Sequence, residues 1–417
     1  MNNLPPLPDR LSPPRGQMNV LLLEGVADSA VHLLSRAGYV NVTRLPGALQ
    51  GDALAEALAG VHLLGLRSRT HLTESALAAA DSLLAVGCFC IGTDQVDLQA
   101  ARARGIPVFN APFSNTRSVA ELVMGEIVML LRRVPEKSVA AHHGSWDKSA
   151  ANAWEVRGKT LGIVGYGNIG SQLSALAEAF GMNVLYHDII DKLPRGNVRQ
   201  AASLADLLAS SDVVSLHVPQ TPQTDHMIGA AELAAMKPGG FLVNNSRGSV
   251  VDLDALAEAL RRGHLLGAAI DVFPVEPTAA GDALHTPLQG LPNVILTPHI
   301  GGSTAEAQWN IGEEVARRLM EYADAGATLG AVNFPQVQLP ARGGDIRFIH
   351  VHRNVPGMLG QVDAVFSARG LNIAAQYLQT EGDVGYVVVE AEGAADAPDV
   401  LAALSAIPGT IRARRLS

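Results

Sequence analysis

Three side chains of complementary chemistry stand just past three short apolar runs. Arg247 follows Phe241–Asn245 (FLVNN), Glu276 follows Gly267–Phe273 (GAAIDVF), and His299 follows Asn293–Leu296 (NVIL). An imidazole titrates near neutrality and so can take a proton from an alcohol. A carboxylate beside it orients the ring and stabilises its charged form. A guanidinium grips a carboxylate through two parallel N–H groups and polarises the neighbouring carbonyl or alkoxide. Together the three suit oxidation of a 2-hydroxy acid, provided something accepts the hydride. Each also has a plainer reading: His299 as a strand-end cap, Glu276 as half of a surface ion pair, Arg247 as a phosphate contact.

The hydride acceptor is implied by Thr160–Asp188, TLGIVGYGNIGSQLSALAEAFGMNVLYHD. An apolar run suited to a buried parallel strand leads into Gly165-Tyr166-Gly167-Asn168-Ile169-Gly170. Leu173, Leu176, Ala177 and Phe180 then recur at helical spacing up to Gly181. In such a dinucleotide fingerprint Gly165 makes the tight turn and Gly167 admits the pyrophosphate. Gly170 lets helix and strand lie close. The helix N-terminus offers N–H groups and positive dipole to the anion. Asp188, at the end of the next strand, can bond ribose hydroxyls and repels a 2′-phosphate, which favours NAD over NADP. Lys192 and Arg195 follow closely and weigh the other way.

These residues need a parallel sheet to bring them together. Asn19–Glu24, Val61–Arg67, Leu83–Cys88 and Ile106–Phe109 read as buried strands in a first alternating α/β region. Arg67 and Arg69, just past a strand, fall at the functional edge of that sheet. Ala111–Arg117, which contains Asn115, leads into a long apolar helix, Ser118–Arg133. Beyond it lie Trp146 and Lys148, read either as a packing anchor beside a solvated charge or as functional groups. Asp212–Val218 adds a strand to the three that deliver Arg247, Glu276 and His299. Thr304–Ala325 is a helix returning the chain to the first region, and Gln336–Gly344 is a linker. The remainder reads strand, helix, strand, strand, helix, strand, the ferredoxin-like order.

The chain has 417 residues and a formal charge of −9, with no strongly basic run, which argues against nucleic acid as the main partner. No apolar stretch is long enough to span a membrane. The proline-rich start, residues 1–17, reads as a disordered tail without a targeting signal. Cys88 and Cys90 are too few for a zinc site or a disulfide framework and are expected to be reduced thiols, which places the protein in the cytoplasm.

The blocks GLRSRTHLTE, GCFCIGT, APFSNTRSVAE, GIVGYGNIG, NNSRGSVVD, AAIDVFPVEP and LTPHIGGST together resemble the D-isomer-specific 2-hydroxy acid dehydrogenases. HRNVPGMLGQVDAVFSARGLNIAAQYLQT and IPGTIRAR resemble the ACT domain that one bacterial branch of that family carries. The resemblance implies a flavodoxin-like substrate domain (18–114 and 302–336) and a Rossmann NAD domain (115–301). A linker (337–344) and a ferredoxin-like ACT regulatory domain (345–417) complete it. It implies catalysis by Arg247, Glu276 and His299. NAD contacts are implied at Gly165, Gly167, Asn168, Ile169, Gly170, Asp188, Asn245, Ser246, Arg247, Asp271, His299, Ile300, Gly301 and Gly302. Substrate groups are implied at Arg67, Arg69 and Asn115, with Trp146 and Lys148 reaching a neighbouring subunit's site. No metal is implied.

The implied reaction is NAD-dependent oxidation of 3-phospho-D-glycerate to 3-phosphohydroxypyruvate, opening serine synthesis. L-Serine would be the feedback effector, bound at His352, Asn354 and Asn372 between paired ACT domains of a homotetramer. Local turn bonding is the plainer role for those three. A hinge is expected at Gly343-Gly344. Reduction of 2-oxoglutarate or another D-2-hydroxy acid dehydrogenase activity remains open, as does a nucleotide-sensing binding protein without turnover. Two departures stand out. Pro46 occupies a position where relatives often carry a phosphate-holding lysine, and Asn168 stands where histidine occurs in the glycine loop.

Overall fold

The computed structural model describes residues 10–277, 282–340, 346–393 and 399–416. The chain divides into two compact units, Asn115–Ala307 and the segments on either side of it.

The central unit is built on a seven-stranded parallel sheet. From one edge its strands are Val294–Leu296, Leu265–Ile270, Gly240–Asn244, Val213–Leu216, Thr160–Val164, Asn183–His187 and Arg199–Gln200. Thr160–Val164 and Val213–Leu216 are neighbours although a strand-and-helix excursion separates them in sequence. There the strand order reverses, which opens a crevice at the C-terminal ends of the strands. The interior strands are apolar and buried on both faces, as covering helices on both sides require. The helix Thr116–Arg132 lays Val119, Val123, Ile127 and Leu130 on the sheet and against Leu173 and Ala177 of the helix Asn168–Ala179.

The other unit holds a five-stranded parallel sheet in the order Asn41–Arg44, Asn19–Leu22, Leu63–Leu66, Ala85–Cys88, Val108–Phe109. That is the flavodoxin-like order. The helix Ala305–Ala325 packs Val315 and Leu319 into the space left over Gly87, where a side chain has no room.

In the same unit an antiparallel sheet carries the ferredoxin-like order Thr410–Leu416, Ile346–Arg353, Val384–Ala391, Ile373–Glu381. Alternation along its strands gives it two apolar faces. Phe348, Val387 and Val389 meet the helices Met358–Ser367 and Asp399–Ser405. Ile349, Val351, Tyr386 and Val388 join Phe109, Tyr322 and Phe334 in one core. The fully buried Arg347 ties this seam. It pairs with Glu390 at 2.6 Å and donates to the carbonyls of Ala325 and Pro340. A buried charge that is paired and fully bonded is tolerated; breaking the pair typically costs ~3–5 kcal/mol.

The tail expectation needs correcting from Arg10 on. Arg10–Leu11 add a short parallel strand beside Thr410–Leu416, and the buried Ser12 hydroxyl accepts from the Arg414 guanidinium at 2.9 and 3.1 Å. The Arg414 group also stacks over Tyr322, 4.9 Å from the ring centroid. Proline content alone did not reveal this partner, which lies some 400 residues away. Gly343 and Gly344, the expected hinge, lie outside the described residues. Among the described residues no helix is long and apolar enough to cross a membrane.

Candidate active site

The glycine loop assigns a distinct task to each glycine. Gly165 has φ +91°, a left-handed conformation, and an added Cβ would strike the His217 carbonyl of the neighbouring strand end. Gly170 abuts the Gly165 carbonyl and Ile163, so the helix can lie this close to the strand only without a side chain there. Gly167 faces open space, the room a pyrophosphate needs. The helix Asn168–Ala179 starts immediately after it, with no side-chain cap on its first N–H groups. Asn168 and Ile169 form its first turn.

Asp188 ends the strand Asn183–His187, and its carboxylate accepts from Tyr166 N at 2.9 Å and Ile190 N at 3.0 Å. The acid is therefore pinned to the glycine loop. Tyr166 in turn stacks on Tyr186 with centroids 4.3 Å apart, a contact worth ~0.5–1.5 kcal/mol beyond its area.

Three successive strand ends build the second half of the site. His299 Nδ1 lies 2.9 Å from Glu276 Oε2, and the other Glu276 oxygen accepts from Phe273 N at 3.3 Å. Burial opposes charge on Glu276, but the His299 bond, the imidazolium, the Phe273 N–H and Arg247 together hold its carboxyl below the usual range. The Glu276 hydrogen bond raises His299 above its ordinary value. Burial and Arg247 work against it, while the charges of Glu276 and Asp271 assist. His299 sits at φ +55°, uncommon for a side-chain-bearing residue. Its N–H donates to the Asp271 carbonyl at 2.8 Å, which holds the turn.

Asp271 organises this turn more than its place in the sequence suggested. Its carboxylate accepts from Thr297 Oγ1 at 2.6 Å and from Ile300 N and Gly301 N at 2.8 Å each. Gly302 lies against the Asn115 amide, whose Oδ1 is buried without a partner. Arg247 donates to the Ser246 carbonyl at 2.8 Å, and Ser246 is held by Asn244. Gly248 presses on the Phe273–Pro274 backbone, so the turn bearing Arg247 and the segment leading to Glu276 are set by one close contact. Asn245 is buried, and neither atom of its side-chain amide has a partner. Trp146 is 82% exposed with Lys148 Nζ 5.9 Å from its ring centroid, so it is not a packing anchor within this chain.

In the other unit Arg67 and Arg69 stand just past the strand Leu63–Leu66. The residue that shapes their turn went unnoticed in the sequence. Buried Glu24 accepts from the backbone N–H of Arg67, Arg69 and Thr70 at 3.2, 3.0 and 2.9 Å. Gln95 and Gln50 secure the Arg67 and Arg69 carbonyls, each at 2.6 Å. Carboxylates at strand ends carry no periodic signature, which is why Glu24 escaped notice. Cys88 and Cys90 are not joined in a disulfide.

In the antiparallel sheet His352 is buried and stacked on His350, Nδ1 to Nδ1 at 3.2 Å. Burial lowers both imidazoles, His350 to about 3. Asn354 donates to the Gly382 carbonyl at 3.1 Å and Asn372 to Glu392 at 2.9 Å.

A glycine loop, a pinned acid and an Arg–Glu–His set along one parallel sheet edge define a nicotinamide-dependent dehydrogenase. The family model of the D-isomer specific 2-hydroxyacid dehydrogenase NAD binding domain matches residues 124–301, and that of the AHAS small subunit-like ACT domain matches residues 348–412. The crystal structure of D-lactate dehydrogenase from Aquifex aeolicus, complexed with NAD and lactic acid, superposes with TM-score 0.68 at 28% identity, over 76% of this chain and 100% of that one. D-3-phosphoglycerate dehydrogenase of Escherichia coli is 57% identical and that of Haemophilus influenzae 56% identical, each over 98% of this chain and 99% of the relative. The chain belongs to the D-3-phosphoglycerate dehydrogenase family of D-isomer-specific 2-hydroxyacid dehydrogenases, and it is an NAD-dependent enzyme with a C-terminal ACT domain.

Proposed function

We propose that the chain oxidises 3-phospho-D-glycerate to 3-phosphohydroxypyruvate with NAD, the first step of phosphorylated serine synthesis, under feedback by L-serine. The observation that carries this reading is the 2.9 Å His299–Glu276 bond with Arg247 beside it, on the edge that also holds the glycine loop. The residues fit the cofactor: Gly167 leaves open room, Asp188 is fixed for the ribose, and the buried Asn245 amide lacks a partner. NAD supplies the hydride acceptor. Nδ1 is committed to Glu276, so Nε2 of His299 takes the hydroxyl proton. Glu276 stabilises the imidazolium as it forms, and Arg247 holds the substrate carboxylate in its fork.

We assign the phosphate to Arg67 and Arg69, which carry more of its charge because Pro46 offers none, with Lys148 assisting. Asn115 contributes its unpartnered carbonyl to the substrate, and Trp146, solvent-facing on its own chain, reaches a neighbouring subunit. For the effector, strand register is the support. His352 pairs with Gly385, whereas Ile373, next to Asn372, pairs with Ala391 at the other end of the sheet. One chain thus supplies each half of a site at opposite ends, and two copies of the ACT sheet complete it. Such pairing joins dimers into a homotetramer, and reduced thiols suit the cytoplasm.

The test follows NADH fluorescence with 3-phospho-D-glycerate, D-glycerate and D-2-hydroxyglutarate, each with and without L-serine. Preference for the phosphorylated substrate and inhibition by serine are expected. Faster turnover of either unphosphorylated acid would overturn the substrate assignment, and indifference to saturating serine would overturn the effector assignment. Glu276→Gln gives a second expected result. In the parent enzyme kcat/KM for oxidation rises with pH through a His299 value above 6.5, because only the neutral ring accepts a proton. Losing the Glu276 charge moves that rise toward lower pH while slowing turnover, as a pH–rate profile will record.

A further inference from the structure

The helix Thr116–Arg132 buries one acid, Glu126, among apolar neighbours, and its side chain is fully inaccessible. Nothing in the catalytic scheme uses it. Neither of its oxygens makes a hydrogen bond of good geometry, nor does either side-chain atom of Asn245, although the Asn245 amide is close enough to act on the carboxyl. Four unsatisfied polar atoms in one buried cluster contradict the usual pairing of such groups. Asp271 is close enough for its charge to act on Glu126, and its carbonyl accepts from the His299 N–H. Burial, reinforced by the Asp271 charge and only partly offset by Asn245, pushes the Glu126 carboxyl up to about 8. The helix Asn168–Ala179 shares this core through Leu173 and Ala177. Arg133 lies about two helical turns further along, and Glu136 and Lys137 belong to the next helix, Val134–His142. Among the described residues Asp271 is the charged group that acts on Glu126.

We propose that Glu126 is a positioning residue that holds a proton beside Asn245 and whose ionisation is coupled to the oxidation state of the bound nicotinamide. This rests on the assignment of Asn245 and Asp271 as cofactor contacts. Hydride transfer requires the pyridine ring to lie near His299, hence near this cluster. The ring is cationic in NAD+ and neutral in NADH. A Glu126 carboxylate therefore favours NAD+, whereas the neutral carboxylic acid suits NADH. Binding NAD+ releases a proton from Glu126, and reduction of the ring draws it back. The acid thereby biases the enzyme toward the oxidised cofactor as pH rises.

The experiment measures Kd for NAD+ and for NADH by calorimetry from pH 6.5 to 9.5. It uses the His299→Asn background, because the imidazole charge would act in the same direction. The ratio Kd(NADH)/Kd(NAD+) should rise about tenfold, corresponding to a coupled shift of one pKa unit, and NAD+ binding near pH 8 should release protons in paired buffers. Glu126→Gln, and Glu126→Met as a second variant should the first fold poorly, should flatten the ratio and abolish the release. A ratio that is flat with Glu126 present, or unchanged after its replacement, overturns the coupling. Asn245→Ala separates the two levels. Unchanged affinity for both forms there refutes the contact assignment and the coupling with it. Weakened affinity for both, with pH dependence surviving Glu126→Gln, refutes the coupling alone. The cofactor-free protein gives an independent readout. A carboxyl raised from 4.5 to about 8 on folding makes the parent lose stability relative to Glu126→Gln as pH climbs through that window, with a constant difference above it. Parallel unfolding curves would contradict a proton held at Glu126.

Discussion

Replacing His299 by asparagine lowers kcat for 3-phospho-D-glycerate oxidation by roughly 10²–10⁴-fold, the range of a lost general base. Asparagine is the informative choice. Residue 299 sits at φ +55° with its N–H tied to Asp271, and asparagine accepts the left-handed conformation that alanine resists. The backbone turn that presents Ile300 and Gly301 to the Asp271 carboxylate should then survive, so the loss belongs to the imidazole alone. Steady-state rates, with NAD affinity measured separately by fluorescence, check this. Unchanged cofactor binding and a collapsed kcat are the expected pattern. A variant turning over within a few-fold of the parent would remove His299 from proton transfer and leave Glu276 with nothing to orient.

The grouping of Arg247, Glu276 and His299 was legible in the sequence because parallel sheets collect strand ends at one edge. Once FLVNN, GAAIDVF and NVIL read as buried strands, Arg247, Glu276 and His299 had to share that edge. The structure shifts the first strand back by one residue and shortens the other two by one each, without moving any of the three residues off that edge. The glycine loop was legible for the same reason, since its three glycines meet three different steric demands. Less visible were groups whose role depends on distant backbone. Glu24 collects three N–H groups from a turn more than forty residues on. Ser12 meets Arg414 across nearly the whole chain. The helix Gly51–Ala57 and the edge strand Asn41–Arg44 are short and largely exposed, so their periodicity barely rises above loop composition. Glu126 was hidden differently. Its spacing from Val119, Val123 and Leu130 places it on the apolar face, a signal masked by the long apolar run around it, and the packing puts it fully inside.

Arg247 separates substrate binding from cofactor binding most sharply. Arg247→Gln should lower kcat/KM by about 10²–10³-fold, as removal of one partner of a hydrogen-bonded charge pair costs ~2–5 kcal/mol. Most of that loss should appear as a raised KM for 3-phospho-D-glycerate, with Kd for NAD nearly unchanged. Lysine at 247 keeps the charge but loses the planar fork, so it should recover only part of the loss. A large fall in NAD affinity with an unaltered substrate KM would instead make Arg247 a cofactor-phosphate contact. The pH profile adds a check that a merely structural defect would not produce. Arg247 lowers both His299 and Glu276, so its removal moves the rise of kcat/KM to higher pH, opposite to the shift from Glu276→Gln. Two substitutions in one turn-to-turn contact thus displace the same limb in opposite directions, which follows only if all three groups act on one proton.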